Sequence, residues 1–107
     1  KQESGDAQGT AYAKLMAAMS ADRARQPELA LRLGREASTE LEREEDWWNA
    51  AYARNELARM LDISGADFVE AREQALRSIE LYRRVGNRAK EISLRRNTSD
   101  LYRMGGD

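Results

Sequence analysis

The chain has 107 residues, with 18 basic and 19 acidic side chains spread along its length and a formal net charge of -1. This balance gives no long-range field toward phosphate backbones or anionic lipid, so neither nucleic acid nor a membrane surface is expected as a partner. Cysteine and histidine are both absent, which excludes disulfides, thiolate zinc sites and the Ser/His or Cys/His pairs of nucleophilic catalysis.

The length and the mean hydropathy of -0.82 fit one small soluble domain. The sequence contains no apolar run of the ~20 residues that a membrane span requires, and its first ten residues lack the apolar core of a signal peptide. We therefore expect a cytoplasmic protein without a metal or a cofactor.

Helix-forming residues and breakers divide the chain into five predicted helices that follow a disordered tail at 1–7. Alanine, leucine and methionine dominate the first helix, with Thr10 or Asp6 as its cap. Pro27 suits the first position of the second helix, because its ring presets the helical φ. The predicted helices span 8–25, 27–45, 47–62, 67–85 and 88–104.

The later boundaries carry clear capping residues. Asp46 and Asn87 are placed to cap the third and fifth helices. Asp67 with Glu70 three residues on resembles a capping box for the fourth helix, and Gly65 is a natural C-terminal cap for the third. We expect these positions to fix the turns.

Two features of the middle of the chain have a structural and a functional interpretation. Trp47 and Trp48 point about 100° apart on a helix, so one is expected to pack under the preceding turn and the other to be partly exposed; structural packing and an aromatic ligand platform are both open.

Gly34, inside the second helix, is expected where another backbone lies too close for a methyl group.

An acidic cluster offers the best enzymatic hypothesis. It comprises Glu42, Glu44, Glu45 and Asp46. No apolar pocket or basic partner that would tune a carboxyl pKa is visible in the sequence, and the calcium-loop pattern is missing. A solvated acidic corner is the simpler interpretation, and we expect no enzyme.

Small residues recur at one fixed spacing. Four positions on one helical stripe return 41 residues later: Ala30, Gly34, Ala37 and Leu41 become Ala71, Ala75, Ser78 and Tyr82. A second set shares that offset, with Asp46 returning as Asn87 and Gly65 as Gly106, while Ala-Tyr-Ala at 11–13 returns after 40. Two helix-length sets at one offset indicate an internal repeat.

The segment 97–102, Asn-Thr-Ser-Asp-Leu-Tyr, followed by Gly106-Asp107, resembles the first helix and turn of a tetratricopeptide repeat. Residues 78–88 look like the end of the second helix in the roughly forty-residue form of that repeat. The usual early Trp and closing Pro are missing. The resemblance implies an all-α fold, a right-handed superhelical stack of antiparallel helix pairs with about two and a half repeats.

In that family the first helices of successive pairs line a concave groove that holds a segment of another protein. The matching groove positions here are Tyr52, Asn55, Arg59, Asp62, Ser93, Arg96, Asn97, Asp100 and Arg103. On the first helix, where the offset slips between 40 and 41, the candidates are Tyr12, Lys14 and Leu15. Forked arginine donors suit carboxylates and the asparagines suit peptide amides, although such residues are also typical of a solvated helix face.

The resemblance therefore implies a non-enzymatic protein-interaction module that binds a peptide or helix of a partner, within a larger bacterial regulatory or scaffold protein. The alternative is self-association, as a dimer or by domain swapping, through an uncovered last helix. Its apolar stripe would include Leu94, Leu101 and Tyr102.

Overall fold

The computed structural model describes residues 3–65 and 67–94, with the side chains described from residue 6 onward, and these residues form helices joined by short turns. The helices are α1 (Glu3–Arg23), α2 (Pro27–Arg43), α3 (Trp47–Ser64), α4 (Phe68–Arg84) and α5, which is helical over 88–94 where the described part ends. The expected all-α class with five helices is confirmed, and each connection is three residues long.

The 41-residue repeat is visible in the helix boundaries. The bounds of α2, shifted by 41 residues, coincide with those of α4. Both helices bury the small-residue stripe that indicated the repeat: Ala30, Gly34, Ala37 and Leu41 in α2, and Ala71, Ala75, Ser78 and Tyr82 in α4. Positions at the same spacing are therefore buried in both copies, although only Ala30 and Ala71 are the same residue type.

Contacts between side chains define the directions of the helices. Neighbouring helices are antiparallel, because Lys14 of α1 meets both Glu36 and Glu40 of α2, residues that lie at similar distances from the turn. By contrast, α2 and α4 are parallel, since Arg35 meets Glu70 and Glu42 meets Arg77, both 35 residues apart. The chain is thus a stack of two hairpins, followed by α5.

All five helices contribute to one core. The buried cluster contains Ala11 and Leu15 from α1, Ala37 and Leu41 from α2, Ala50, Ala51 and Ala53 from α3, Ile79, Leu81 and Tyr82 from α4, and Leu94 from α5. Leu94 is only 6% exposed. The expectation that Leu94 belongs to an uncovered apolar stripe is therefore wrong; Leu101 and Tyr102 lie outside the described residues.

Most of the predicted caps are confirmed. Asp46 accepts a hydrogen bond from the backbone N–H of Asn49, and Asn87 accepts one from Lys90. Gly65 adopts the left-handed conformation at φ 67° and its N–H reaches the carbonyl oxygens of Leu61 and Asp62. These turns are closed by the residues that the sequence indicated.

The capping box of α4 is only half formed. Asp67 accepts from the backbone N–H of Glu70 at 3.0 Å, as expected. The carboxylate of Glu70 instead binds the guanidinium of Arg35 through two hydrogen bonds of 2.8 and 2.7 Å. The residue that was expected to close a local turn links α4 to α2.

The start of the chain differs from the prediction. α1 begins at Glu3, so residues 3–7 are helical and the predicted tail over 1–7 is corrected there. Asp6 and Thr10, the expected caps, lie inside the helix. Asp6 falls in its first turn, where a carboxylate interacts favourably with the positive end of the helix dipole. The other predicted ends differ by at most two residues from those of α1 to α4.

Glu42 joins three helices at one point. Its carboxylate accepts hydrogen bonds from Arg54 of α3 at 2.8 Å and from Arg77 of α4 at 2.7 Å. Arg54 also donates to Gln74 of α4. Burial opposes the charge on Glu42, but the hydrogen bonds from Arg77 and Arg54 outweigh it and hold the pKa of this carboxyl below its ordinary value.

Gly34 does not have the role expected for it. A methyl group added there would meet the Cδ1 atom of Leu57 at 3.4 Å, an ordinary van der Waals distance, and that neighbour is a side chain and not a backbone. The equivalent position in α4 is already an alanine, Ala75, which is buried. The close approach of a second backbone is therefore a wrong expectation.

Replacement of Gly34 by alanine is expected to raise the free energy of unfolding by about 0.5–1 kcal/mol, because alanine costs less backbone entropy in a helix. A leucine at position 34 would extend beyond its Cβ into the space that Leu57 occupies. Gly34→Leu is therefore expected to lower the free energy of unfolding by about 1–3 kcal/mol through overpacking. Urea unfolding followed by circular dichroism measures both. A destabilised Gly34→Ala variant would contradict this account of the α2–α3 contact.

Replacement of Glu42 by glutamine should cost roughly 1–3 kcal/mol of stability at pH 7, since hydrogen bonds to two charged groups are lost. Because the folded pKa of Glu42 is lowered, its stabilisation is present above the ordinary value of 4.5 and is lost as the pH falls through the folded pKa. The difference in melting temperature between the wild type and Glu42→Gln should therefore shrink toward pH 3. Glu80→Gln, on a 69% exposed side chain, is the control; an equal loss there would contradict the prediction.

Candidate functional site

One face of α3 contains every candidate residue that the sequence assigned to that helix. Trp48, Tyr52, Asn55, Arg59 and Asp62 follow one another at steps of four, three, four and three, which places them on one helical face. We call these five residues the α3 stripe. Trp48 is 55% exposed, whereas Tyr52, Asn55 and Asp62 are half-buried.

The α3 stripe lies against α1, which runs parallel to α3. The hydroxyl of Tyr52 donates to the sulfur of Met19 at 3.6 Å, and Arg59 donates to the carboxylate of Asp22 at 2.9 Å. Tyr12 is 42% exposed on α1. The two helices therefore form a shared surface with aromatic side chains from both; we call it the α1–α3 face.

Arg59 is occupied within the chain. Its guanidinium binds Glu56 at 2.7 Å as well as Asp22. Burial opposes its charge, but the hydrogen bonds to Glu56 and Asp22 outweigh that effect and raise the pKa of Arg59. Two carboxylates already compensate this cation, so Arg59 braces α1 against α3 in this structure.

Asp62 presents a different situation at the end of the stripe. Its carbonyl oxygen accepts the N–H of Gly65 in the C-terminal cap of α3. Its side-chain Oδ1 is buried and has no hydrogen-bond partner among the described residues. Because this oxygen is buried, a donor of an external ligand does not reach it in this structure.

The three weaker candidates on α1 separate into one exposed and two covered residues. Tyr12 belongs to the α1–α3 face, as described above. Lys14 is turned toward α2, where it binds Glu40 at 2.6 Å and Glu36 at 3.4 Å, and these hydrogen bonds raise the pKa of Lys14. Leu15 is 1% exposed and belongs to the core. The expectation that Lys14 and Leu15 line the groove is corrected, because Lys14 forms ion pairs with α2 and Leu15 is buried in the core.

On α5 only one candidate falls in the described part of the chain. Ser93 is exposed. The remaining candidates on that helix, Arg96, Asn97, Asp100 and Arg103, lie outside the described residues.

The tryptophan pair divides as the sequence predicted, into one packed and one exposed ring. Trp47 packs against the core cluster and is covered by the guanidinium of Arg84 at 4.2 Å from its ring centroid. Trp48 was not among the candidate groove residues, although its spacing of four from Tyr52 and seven from Asn55 was a signal that would have found it. Of the two open interpretations, packing describes Trp47 and an available aromatic surface describes Trp48.

The acidic cluster serves the fold. Glu42 has the basic partners Arg54 and Arg77 that sequence reasoning did not find, and its lowered pKa is the reverse of what a general acid needs. Asp46 caps α3 and also accepts from the side chains of Asn49 and Gln8. Among the described residues, no three or more acidic side chains lie close enough together to hold a metal ion.

Comparison with known proteins adds no assignment, since no protein-family model, curated protein or solved structure matches the chain. In the described part of the chain, none of the helices combines the length and the apolar character needed to cross a membrane.

Acrylamide quenching tests the placement of the two tryptophans. In a Trp47→Phe variant the remaining Trp48 should be quenched strongly, because more than half of its surface is exposed. In Trp48→Phe the remaining Trp47 should be quenched several-fold less, since Arg84 and the core cover it. Equal quenching constants in the two folded variants would contradict the exposure of Trp48 and the burial of Trp47.

Proposed function

We propose that this chain is a non-enzymatic protein-interaction module of tetratricopeptide type, and that the α1–α3 face binds a peptide or helix of a partner protein. The proposal includes the right-handed superhelical stack implied by the sequence resemblance, and a place in a larger bacterial regulatory or scaffold protein of the cytoplasm. Its support is the repeated hairpin, with α1 parallel to α3 and α2 parallel to α4.

One observation carries the proposal. Trp48 and Tyr12 remain 55% and 42% exposed, while Arg59 on the same face is paired within the chain with Asp22. Exposed aromatic side chains next to half-buried polar ones are typical of interface hot spots, because aromatic rings bury a large area with little loss of conformational entropy. The face thus combines an apolar anchor with hydrogen-bonding groups.

The chemistry of the face defines the kind of ligand. Trp48 offers an apolar platform for an aliphatic or aromatic side chain. Asn55 has both a donor and an acceptor, which match the N–H and C=O groups of an extended or helical peptide backbone. Because Asp22 and Glu56 compensate Arg59, we expect affinity to depend on anchoring at Trp48 more than on ligand charge.

The self-association alternative has less support. It required an apolar stripe on the last helix to be uncovered, and Leu94, the one member of that stripe in the described residues, is packed in the core. We therefore favour peptide binding.

Peptides selected from a random library on the folded chain provide the test. Each selected peptide is titrated against the wild type, Trp48→Ala and Asn55→Ala, and we expect both variants to bind at least about tenfold more weakly, or ~1.4 kcal/mol. Val69→Ala is the control, because Val69 is 62% exposed on α4 and lies outside the face. Charge reversal at Arg59 is avoided, since it would break the α1–α3 brace.

Circular dichroism must first show that each variant is folded. The proposal fails if no peptide binds with a Kd below about 1 mM, or if the selected peptides bind Trp48→Ala and Asn55→Ala as tightly as the wild type.

A further inference from the structure

A cleft lies at the end of the first hairpin, where the turn between α1 and α2 meets the C-terminal end of α3. Its volume is about 410 Å³, which falls within the range of about 300–1,000 Å³ that is typical of pockets for small molecules. We call it the hairpin-end cleft. Its lining includes Asp22 and Arg25 from the end of α1 and the turn, Pro27 and Leu31 from α2, and Met60 and Ile63 from α3.

The walls of the cleft are apolar, and one of them is left in water. Met60 belongs to a buried cluster of small and apolar side chains, and Leu31 packs against that cluster. Ile63, by contrast, is 71% exposed, the highest value among the large hydrophobic side chains in the described part of the chain. A ligand with an apolar group would therefore remove the surface of Ile63 from water, which is favourable.

Two side chains of opposite charge also line the cleft. Asp22 accepts a hydrogen bond from Arg59 through Oδ2 at 2.9 Å, whereas its Oδ1 has no hydrogen-bond partner among the described residues. Arg25 is exposed, and its guanidinium has neither a hydrogen bond nor an ion pair within that part of the chain. The two groups do not bind each other, so each can bind the opposite charge on a ligand.

This combination of groups defines the chemistry of the ligand. The forked donors of an arginine suit a carboxylate, and a carboxylate oxygen accepts from an ammonium group. A molecule that carries both charged groups beside an apolar side chain is an α-amino acid. A ligand with a single charge would satisfy only one of the two side chains.

We propose that the hairpin-end cleft binds a free α-amino acid with a large apolar side chain. Its carboxylate binds Arg25, its ammonium group binds Oδ1 of Asp22, and its side chain packs on Leu31, Met60 and Ile63. The cleft does not contain Trp48, and the proposal does not depend on the peptide-binding function.

The test is an NMR titration of the 15N-labelled 107-residue chain with L-phenylalanine. We expect saturable shifts in the amide signals of residues 22–31 and 60–64. Two analogues examine the charged groups of the ligand: 3-phenylpropionate lacks the ammonium group and phenethylamine lacks the carboxylate. Each should bind at least about tenfold more weakly than L-phenylalanine, because it loses one charge-assisted hydrogen bond. Asp22 itself is left unchanged, since it also binds Arg59.

The backbone at Arg25 provides a variant that removes the guanidinium without harming the fold. Arg25 has a φ of 61°, in the left-handed region that glycine adopts more readily, and Gly65 and Gly86 have such a φ after two later helices. Arg25→Gly should therefore raise the melting temperature while it weakens L-phenylalanine binding at least about tenfold. Glu45→Gly is the matched control, because Glu45 has a φ of 58° and lies outside the cleft; it should raise the melting temperature and leave binding unchanged.

A second pair of variants tests the apolar wall. Ile63→Ser should weaken binding several-fold. Val69→Ser, at a side chain that is 62% exposed on α4 and outside the cleft, should leave binding unchanged. Both positions are exposed, so both variants should remain folded.

Three results would overturn the proposal. The first is the absence of saturable shifts up to about 10 mM L-phenylalanine. The second is binding of 3-phenylpropionate or phenethylamine as tight as that of L-phenylalanine, which would show that the cleft does not recognise both charges. The third is binding that Trp48→Ala abolishes and Arg25→Gly does not, which would place the ligand on the α1–α3 face.

Discussion

The structure depends on the carboxylate of Glu42, where three helices are held in register. The turns between the helices are three residues long, and a turn alone does not fix how one hairpin lies on the next. Glu42 does so because Arg54 and Arg77 approach it from α3 and α4, and both Glu42 and Arg54 have side chains that are only 15% exposed. Partial burial reduces solvent screening, so this ion pair is worth more than those on the surface.

Sequence patterns predicted the parts of the fold that local chemistry decides. The turns at Asp46 and Asn87 are capped by the residues expected, because a cap needs only a side-chain oxygen and a backbone N–H three residues away. The small-residue stripe recurring after 41 residues predicted that α2 and α4 are equivalent, since helix packing repeats when the packing residues repeat. The start of α1 was missed, because Ser4 and Gly5 are poor helix formers, and α1 nevertheless extends through them to Glu3.

The contacts of the candidate residues could not be predicted from local sequence, because their partners are distant in sequence. Arg59 was assigned to a ligand from its place on the helix, but Asp22, 37 residues away, binds it. That contact exists only once α1 and α3 lie parallel, and a single helix does not contain this information. Glu70 illustrates the same limit: the local capping partner and the distant Arg35 compete for its carboxylate, and the charged donor wins because charge-assisted hydrogen bonds are stronger.

These pairings explain which large side chains remain exposed on the α1–α3 face. Where two helices pack together, charged side chains form ion pairs within the chain. Lys14 of α1 pairs with Glu40 of α2, and Arg59 of α3 pairs with Asp22 of α1. The large side chains left exposed on the α1–α3 face are the aromatic Trp48 and Tyr12. Trp48 belongs neither to these ion pairs nor to the core cluster, and it remains 55% exposed. Trp48 therefore differs from Tyr52 and Arg59 on the same helical face, since Tyr52 packs against the core and Arg59 joins α3 to α1.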